Sequence, residues 1–82
     1  MKEITISTKM LNERDYDYLR EIFGFPSYFG NNLDALYDCL SDHNDLLIRI
    51  IWDEGEKAKT SMILKVIKLY CQNSSSIYTI DD

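Results

Sequence analysis

At 82 residues the chain has room for one small domain and no second independent core, which excludes a two-domain enzyme. An apolar share of 45% and a charged share of 28%, with three glycines and one proline, describe a globular protein rather than a disordered or fibrous one. Nine basic against fourteen acidic side chains leave a net charge of −5, the wrong sign for a module that grips nucleic-acid phosphates directly.

Residues 2–7 alternate, with Ile4 and Ile6 between polar neighbours, and predict a strand at a sheet edge with one face buried. Asn12, followed by Glu13 and Asp15, has the form of a helix start. Tyr16, Leu19, Ile22 and Phe23 then recur at helical spacing until Gly24 and Pro26, so a first helix is expected over residues 13–23. Residues 25–32 form a turn-rich loop with three aromatics, of which burial tendencies send Phe25 and Phe29 inward. Asn32 caps a second helix in which Leu33, Leu36, Tyr37 and Leu40 make the core-facing stripe and His43, Asn44 and Asp45 form the end.

Residues 46–52 are apolar except for Arg49, the pattern of a central strand covered on both faces. After a turn at residues 53–56, Ile63, Val66, Ile67 and Tyr70 predict a third helix, with Thr60 or Ser61 as cap and Asn73 as terminator. A last short strand follows at residues 77–80. Strands joined through helices should be parallel, with the helices packed on the sheet. All 82 residues read as a single domain. No apolar run approaches the roughly 18 residues a membrane span needs, and the start lacks the apolar core of a signal peptide. A cytoplasmic protein is expected, with Cys39 and Cys71 as reduced packing thiols, no zinc site and no cofactor.

The charge surplus is concentrated. Between residues 30 and 53, Arg49 stands alone against Asp34, Asp38, Asp42, Asp45 and Asp53. On a helix Asp34, Asp38 and Asp42 fall at i, i+4 and i+8 and form one acidic stripe. Each like-charge i, i+4 pair destabilises a helix by about 0.2–0.5 kcal/mol, and Asp42 also lies near the C-terminal end, where the dipole prefers cations. Such a stripe also suits a solvated face that aids solubility. Tyr37 borders the stripe, however, and the aromatic loop leads straight into it. Aromatic anchors beside fixed carboxylates make a surface for a basic partner. The loop and stripe together nominate Tyr28, Phe29, Asn31, Asp34, Tyr37, Asp38 and Asp42 for that contact.

The run Phe25-Pro26-Ser27-Tyr28-Phe29-Gly30-Asn31-Asn32-Leu33-Asp34-Ala35-Leu36-Tyr37-Asp38-Cys39-Leu40 resembles the signature of the barstar family of ribonuclease inhibitors. That signature has Pro, two aromatics, Gly, any residue, Asn-Leu-Asp-Ala-Leu, an aromatic and Asp-Cys-Leu. The resemblance implies a two-layer α/β fold, with a three-stranded parallel sheet in the order 1-2-3 backed by helices. It also implies an intracellular antitoxin or immunity protein, a free monomer forming a 1:1 complex with a basic microbial ribonuclease or ribonuclease toxin domain. The second helix and its preceding loop would enter the enzyme's active site. Tyr28 would touch the enzyme, Asp34 would pair with basic groups, Tyr37 would pack at the rim and Asp38 would take the place of a substrate phosphate. Three departures stand out. Tyr37 replaces the family's usual Trp, the region from Trp52 onward is shorter than usual for the family and fits one main crossover helix instead of two, and the late-helix acid that some members use falls near Leu69 or Tyr70, where no carboxylate is present.

Other functions have less to build on. Cys39 and His43, four apart, form a thiol and base pair without an orienting group. Asp38, Asp42, Asp45 and His43 lack the glycine turn and alternating ligands of a calcium loop. No metal and no catalytic residue is assigned, and neither a membrane nor nucleic acid is an expected partner. The main alternative is an acidic interaction module for a basic partner that is not a ribonuclease.

Overall fold

The computed structural model describes residues 1–81, folded in the order β1 (Lys2–Ser7), α1 (Thr8–Phe23), α2 (Leu33–Ser41), β2 (Leu46–Ile51), α3 (Ala58–Gln72) and β3 (Ile77–Asp81). The sheet has the order β1-β2-β3 with both pairings parallel, as crossover helices between strands require. Ile4 lies opposite Ile48 and Ile6 opposite Ile50, while Tyr78 and Ile80 of β3 lie opposite Ile48 and Ile50.

The sheet is covered on one face, not two. Ile4, Ile6, Leu46, Ile48 and Ile50 are buried beneath the helices, where Leu11, Leu19, Leu36, Leu40, Ile63, Leu64 and Ile67 complete the core. On the opposite face Leu47 and Ile51 are half-buried and Arg49 is exposed, so β2 alternates despite its nearly continuous apolar sequence. Arg49 explains the difference. Its guanidinium lies across the sheet, 3.1 Å from Glu3 Oε1 on β1 and 2.9 Å from Asp81 Oδ2 on β3. A strand enclosed on both faces could not have hydrated this cation.

α1 begins five residues earlier than its sequence pattern suggests. Ser7 is its N-cap, accepting a hydrogen bond from the Met10 N–H at 3.2 Å, and Asp15 breaks the helical backbone with φ of 39°. Asn12 is therefore no cap but a bridge to the α3 junction. Its Nδ2 donates to the Gly55 carbonyl at 3.2 Å, and its Oδ1 accepts from the Lys57 N–H at 3.1 Å and the Thr60 hydroxyl at 2.5 Å. Thr60 is thereby buried inside the first turn of α3, whose N-cap is Lys57, in place of the cap expected at Thr60 or Ser61.

Asp53, just past β2, ties the β1–α1 junction. Its carboxylate accepts from Ser7 Oγ at 2.6 Å, Thr8 Oγ1 at 3.0 Å and the Lys9 N–H at 2.9 Å. Those donors hold its pKa down at about 2. Trp52, half-buried beside it, donates its backbone N–H to the Asp81 carbonyl at 2.8 Å, and a side-chain carbon added at Gly55 would stand 3.9 Å from its indole Nε1.

Candidate protein-binding site

The loop before α2 is fixed by its own aromatics. Gly24 adopts a left-handed conformation, φ 68°, and ends α1 with its N–H on the Arg20 carbonyl. Pro26 opens a turn closed by the Phe29 N–H on the Pro26 carbonyl at 3.0 Å. Phe25 stacks on Phe23 at 5.2 Å, and Phe29 packs on Phe25 at 4.9 Å and edge-on to Tyr16 at 6.0 Å. Arg20 completes the clamp. Its guanidinium stands 5.7 Å from the Phe29 ring centroid and donates to Asn31 Oδ1 at 2.7 Å.

This clamp sorts the aromatics. Phe25 and Phe29 are buried, as their burial tendencies suggest, so the Phe29 ring, nominated for the contact, supports the loop from inside rather than standing open to a partner. Tyr28, between them in the turn, is 83% exposed. Asn31 is exposed with φ of 47°, a conformation Asn tolerates, and its side chain is occupied by Arg20.

Asn32 then starts α2 as expected, its Oδ1 accepting from the Ala35 N–H at 2.8 Å. Such a cap stabilises a helix by about 1 kcal/mol. Leu36 and Leu40 point into the core, and Asp34, Asp38 and Asp42 are exposed along the opposite side, with Asp42 as C-cap. Tyr37 is half-buried at the seam with α3, where its hydroxyl accepts from Asn73 Nδ2 at 3.3 Å. On α3 the two late-helix positions part ways: Leu69 is 48% exposed, whereas Tyr70 is buried and donates to the His43 carbonyl at 2.8 Å.

Five acids have a cation within reach: Glu21 pairs with Arg14, Asp17 with Arg20, Asp15 with Lys59, and Glu3 and Asp81 with Arg49, while Glu13, Asp45, Asp53, Glu54 and Glu56 make no ion pair among the described residues. Among the described residues, Asp34, Asp38 and Asp42 make no ion pair. No ion pair offsets their mutual repulsion, and of the three only Asp34, in the first turn, is favoured by the helix dipole.

The surroundings of Cys39 do not activate its thiol. Burial, with Asp42 and Asp38 nearby, raises its pKa and disfavours the thiolate. Burial raises Cys71 as well, and both thiols are free. Among the described residues no three carboxylate, imidazole or thiol groups converge as metal ligands, and no helix is long and apolar enough to cross a membrane.

Sequence reasoning missed Ser76. It is buried between Tyr70 and the start of β2, with its Oγ accepting from the Leu46 N–H at 3.0 Å and 2.8 Å from the Tyr70 hydroxyl. This network anchors the segment that follows α2. In a run of four polar residues nothing in the pattern singles it out.

A sequential parallel α/β sheet thus carries on its helical layer an α2 with three exposed aspartates in one line. The chain matches, over residues 1–70, the family described as Barstar (barnase inhibitor), and it belongs to that family. A curated relative from Bacillus subtilis (strain 168), named "Putative ribonuclease inhibitor YrdF", is 40% identical over 45 residues, 55% of this chain and 50% of the relative. The match therefore spans about half the length of that relative.

Proposed function

We propose that this protein is an inhibitor of a basic ribonuclease, acting as a single unit over residues 1–82 in the cytoplasm that it protects. One observation carries the reading: Asp34, Asp38 and Asp42 stand exposed in one line along α2, with no ion pair among the described residues. Membership of the barstar family supports the enzyme class. A ribonuclease gathers Arg, Lys and His around the scissile phosphate, and a cluster so charged is satisfied by carboxylates placed where phosphates would lie. Asp38 occupies the middle of the stripe and takes the central role, with Asp34 and Asp42 on either side. Tyr28, Asn31 and Tyr37 supply contact around them. Opposite charge steers the encounter, and aromatic surface holds it.

The test is to titrate the protein against basic microbial ribonucleases, including one encoded nearby, while following RNA cleavage. Stoichiometric loss of cleavage is expected. Asp38→Ala should weaken inhibition by about tenfold or more, yet leave thermal stability equal or slightly higher, because a like-charge repulsion of about 0.2–0.5 kcal/mol is removed. Unchanged cleavage by every enzyme would transfer the acidic face to a basic partner of another kind. A variant that unfolds without a separate binding defect would make Asp38 structural.

A further inference from the structure

The two edges of the sheet are treated differently. On β1 Lys2 is exposed, and the Ser7 N–H is covered by the Tyr18 hydroxyl at 3.0 Å. β3 has less protection, with Lys68 of α3 standing 5.8 Å from the Tyr78 ring centroid. It contains no lysine, proline or bulge, and Ile77, Tyr78 and Ile80 are exposed, Ile77 by 51%. Among the described residues nothing pairs with its outer side. Unprotected apolar edges of this kind are templates for another strand.

The register defines what fits there. The Asp81 carbonyl accepts from the Trp52 N–H, so Asp81, and with it Thr79 and Ile77, directs its backbone groups toward β2. By the alternation of a strand, Tyr78 and Ile80 direct theirs outward. These two residues flank Thr79 symmetrically. A two-fold axis through Thr79 places Tyr78 opposite Ile80 of a second copy, twice, as hydrogen-bonded antiparallel pairs with four N–H to carbonyl bonds between them. Each pair joins an aromatic to a β-branched side chain, a favoured cross-strand combination, and Thr79 meets Thr79. Asp81 falls opposite Ile77, so no like charges face each other, and its carboxylate keeps Arg49.

We infer that β3 is a self-association edge, pairing antiparallel with β3 of a second copy of this chain about Thr79 to make a continuous six-stranded sheet. This departs from the expectation of a free monomer. β3 packs against α3, whereas the acidic line stands on α2, so each copy keeps its acidic face and still engages one enzyme. Five paired residues bury less than the roughly 1,200 Å² of a stable complex, so the association is weak and concentration-dependent.

Sedimentation equilibrium of the full chain from about 10 µM to about 1 mM is the test. The weight-average mass should rise toward twice the monomer value, with slowed amide exchange at Tyr78 and Ile80 as concentration increases. Ile80→Lys, which puts a charge on the edge, and Tyr78→Pro, which removes one outward N–H while sparing the β2 ladder, should both hold the mass at the monomer value with an unchanged circular dichroism spectrum. Asp38→Ala should associate like the parent. A monomer throughout the range would overturn the inference and leave the edge to a strand of another protein. So would association that survives both edge variants, or one that Asp38→Ala abolishes. None of these outcomes bears on ribonuclease inhibition, which is read separately.

Discussion

Adjacent residues in the loop before α2 have opposite fates. Tyr28 is in solvent, while Phe29 is 5% exposed, wedged between Phe25, Tyr16 and the Arg20 guanidinium. Phe29→Ala should lower stability by about 3 kcal/mol in urea unfolding, through lost burial and the cavity left behind. Tyr28→Ala should change stability by no more than about 0.5 kcal/mol and yet weaken ribonuclease inhibition. If Tyr28→Ala inhibits like the parent, the loop is scaffold only. The sequence named both aromatics but left their directions to burial tendency, because an irregular loop has no period that sorts inside from outside. Within α2 the period is firm, and Leu36, Leu40 and the three aspartates lie where 3.6-residue spacing puts them.

Among the elements, α2, β1 and β3 were legible, whereas the start of α1 was not. Asn12 and Ser7 are both good caps by residue type. The choice fell to Ser7 because Asp53, 46 residues away, accepts from its hydroxyl and gathers the Thr8 and Lys9 groups of the first turn. Long-range partners leave no local signature. β2 was misjudged for a related reason: its one charge is neutralised by acids on two other strands. The Asp53 junction also has a pH signature. Its pKa is depressed from an ordinary 3.8 to about 2, so its stabilisation is present above the ordinary value and disappears as pH falls through the folded one. Asp53→Asn should therefore melt at a lower temperature than the parent at neutral pH, and the gap should close between pH 3.8 and about 2. A gap that persists unchanged at pH 2 would place the role of Asp53 in shape rather than charge.

Across the whole molecule, strand and helix alternation predicted the parallel sheet, the family resemblance implied its sequential order, and charge counting located the acidic segment. What counting could not show was which acids are spoken for. Of the fourteen acidic side chains, five are ion-paired among the described residues, and the three α2 aspartates are not. An inhibitor that meets its enzyme through such a field should associate more slowly as salt rises. Raising ionic strength from about 0.01 to 0.15 M shortens the screening length from about 30 to 8 Å. Stopped-flow association rates should fall over that range while the unfolding midpoint stays nearly constant. A rate indifferent to salt would remove steering from the mechanism.

Trp52 is the single tryptophan of the chain, and it sits half-buried between β2 and Asp53, with Gly55 beside its indole. Its light emission is therefore an internal reporter for one junction. Loosening of this junction as acid protonates Asp53 should show as a red shift of the Trp52 emission, without any attached dye. The molecule carries its own optical gauge of the contact that fastens its first helix to its central strand.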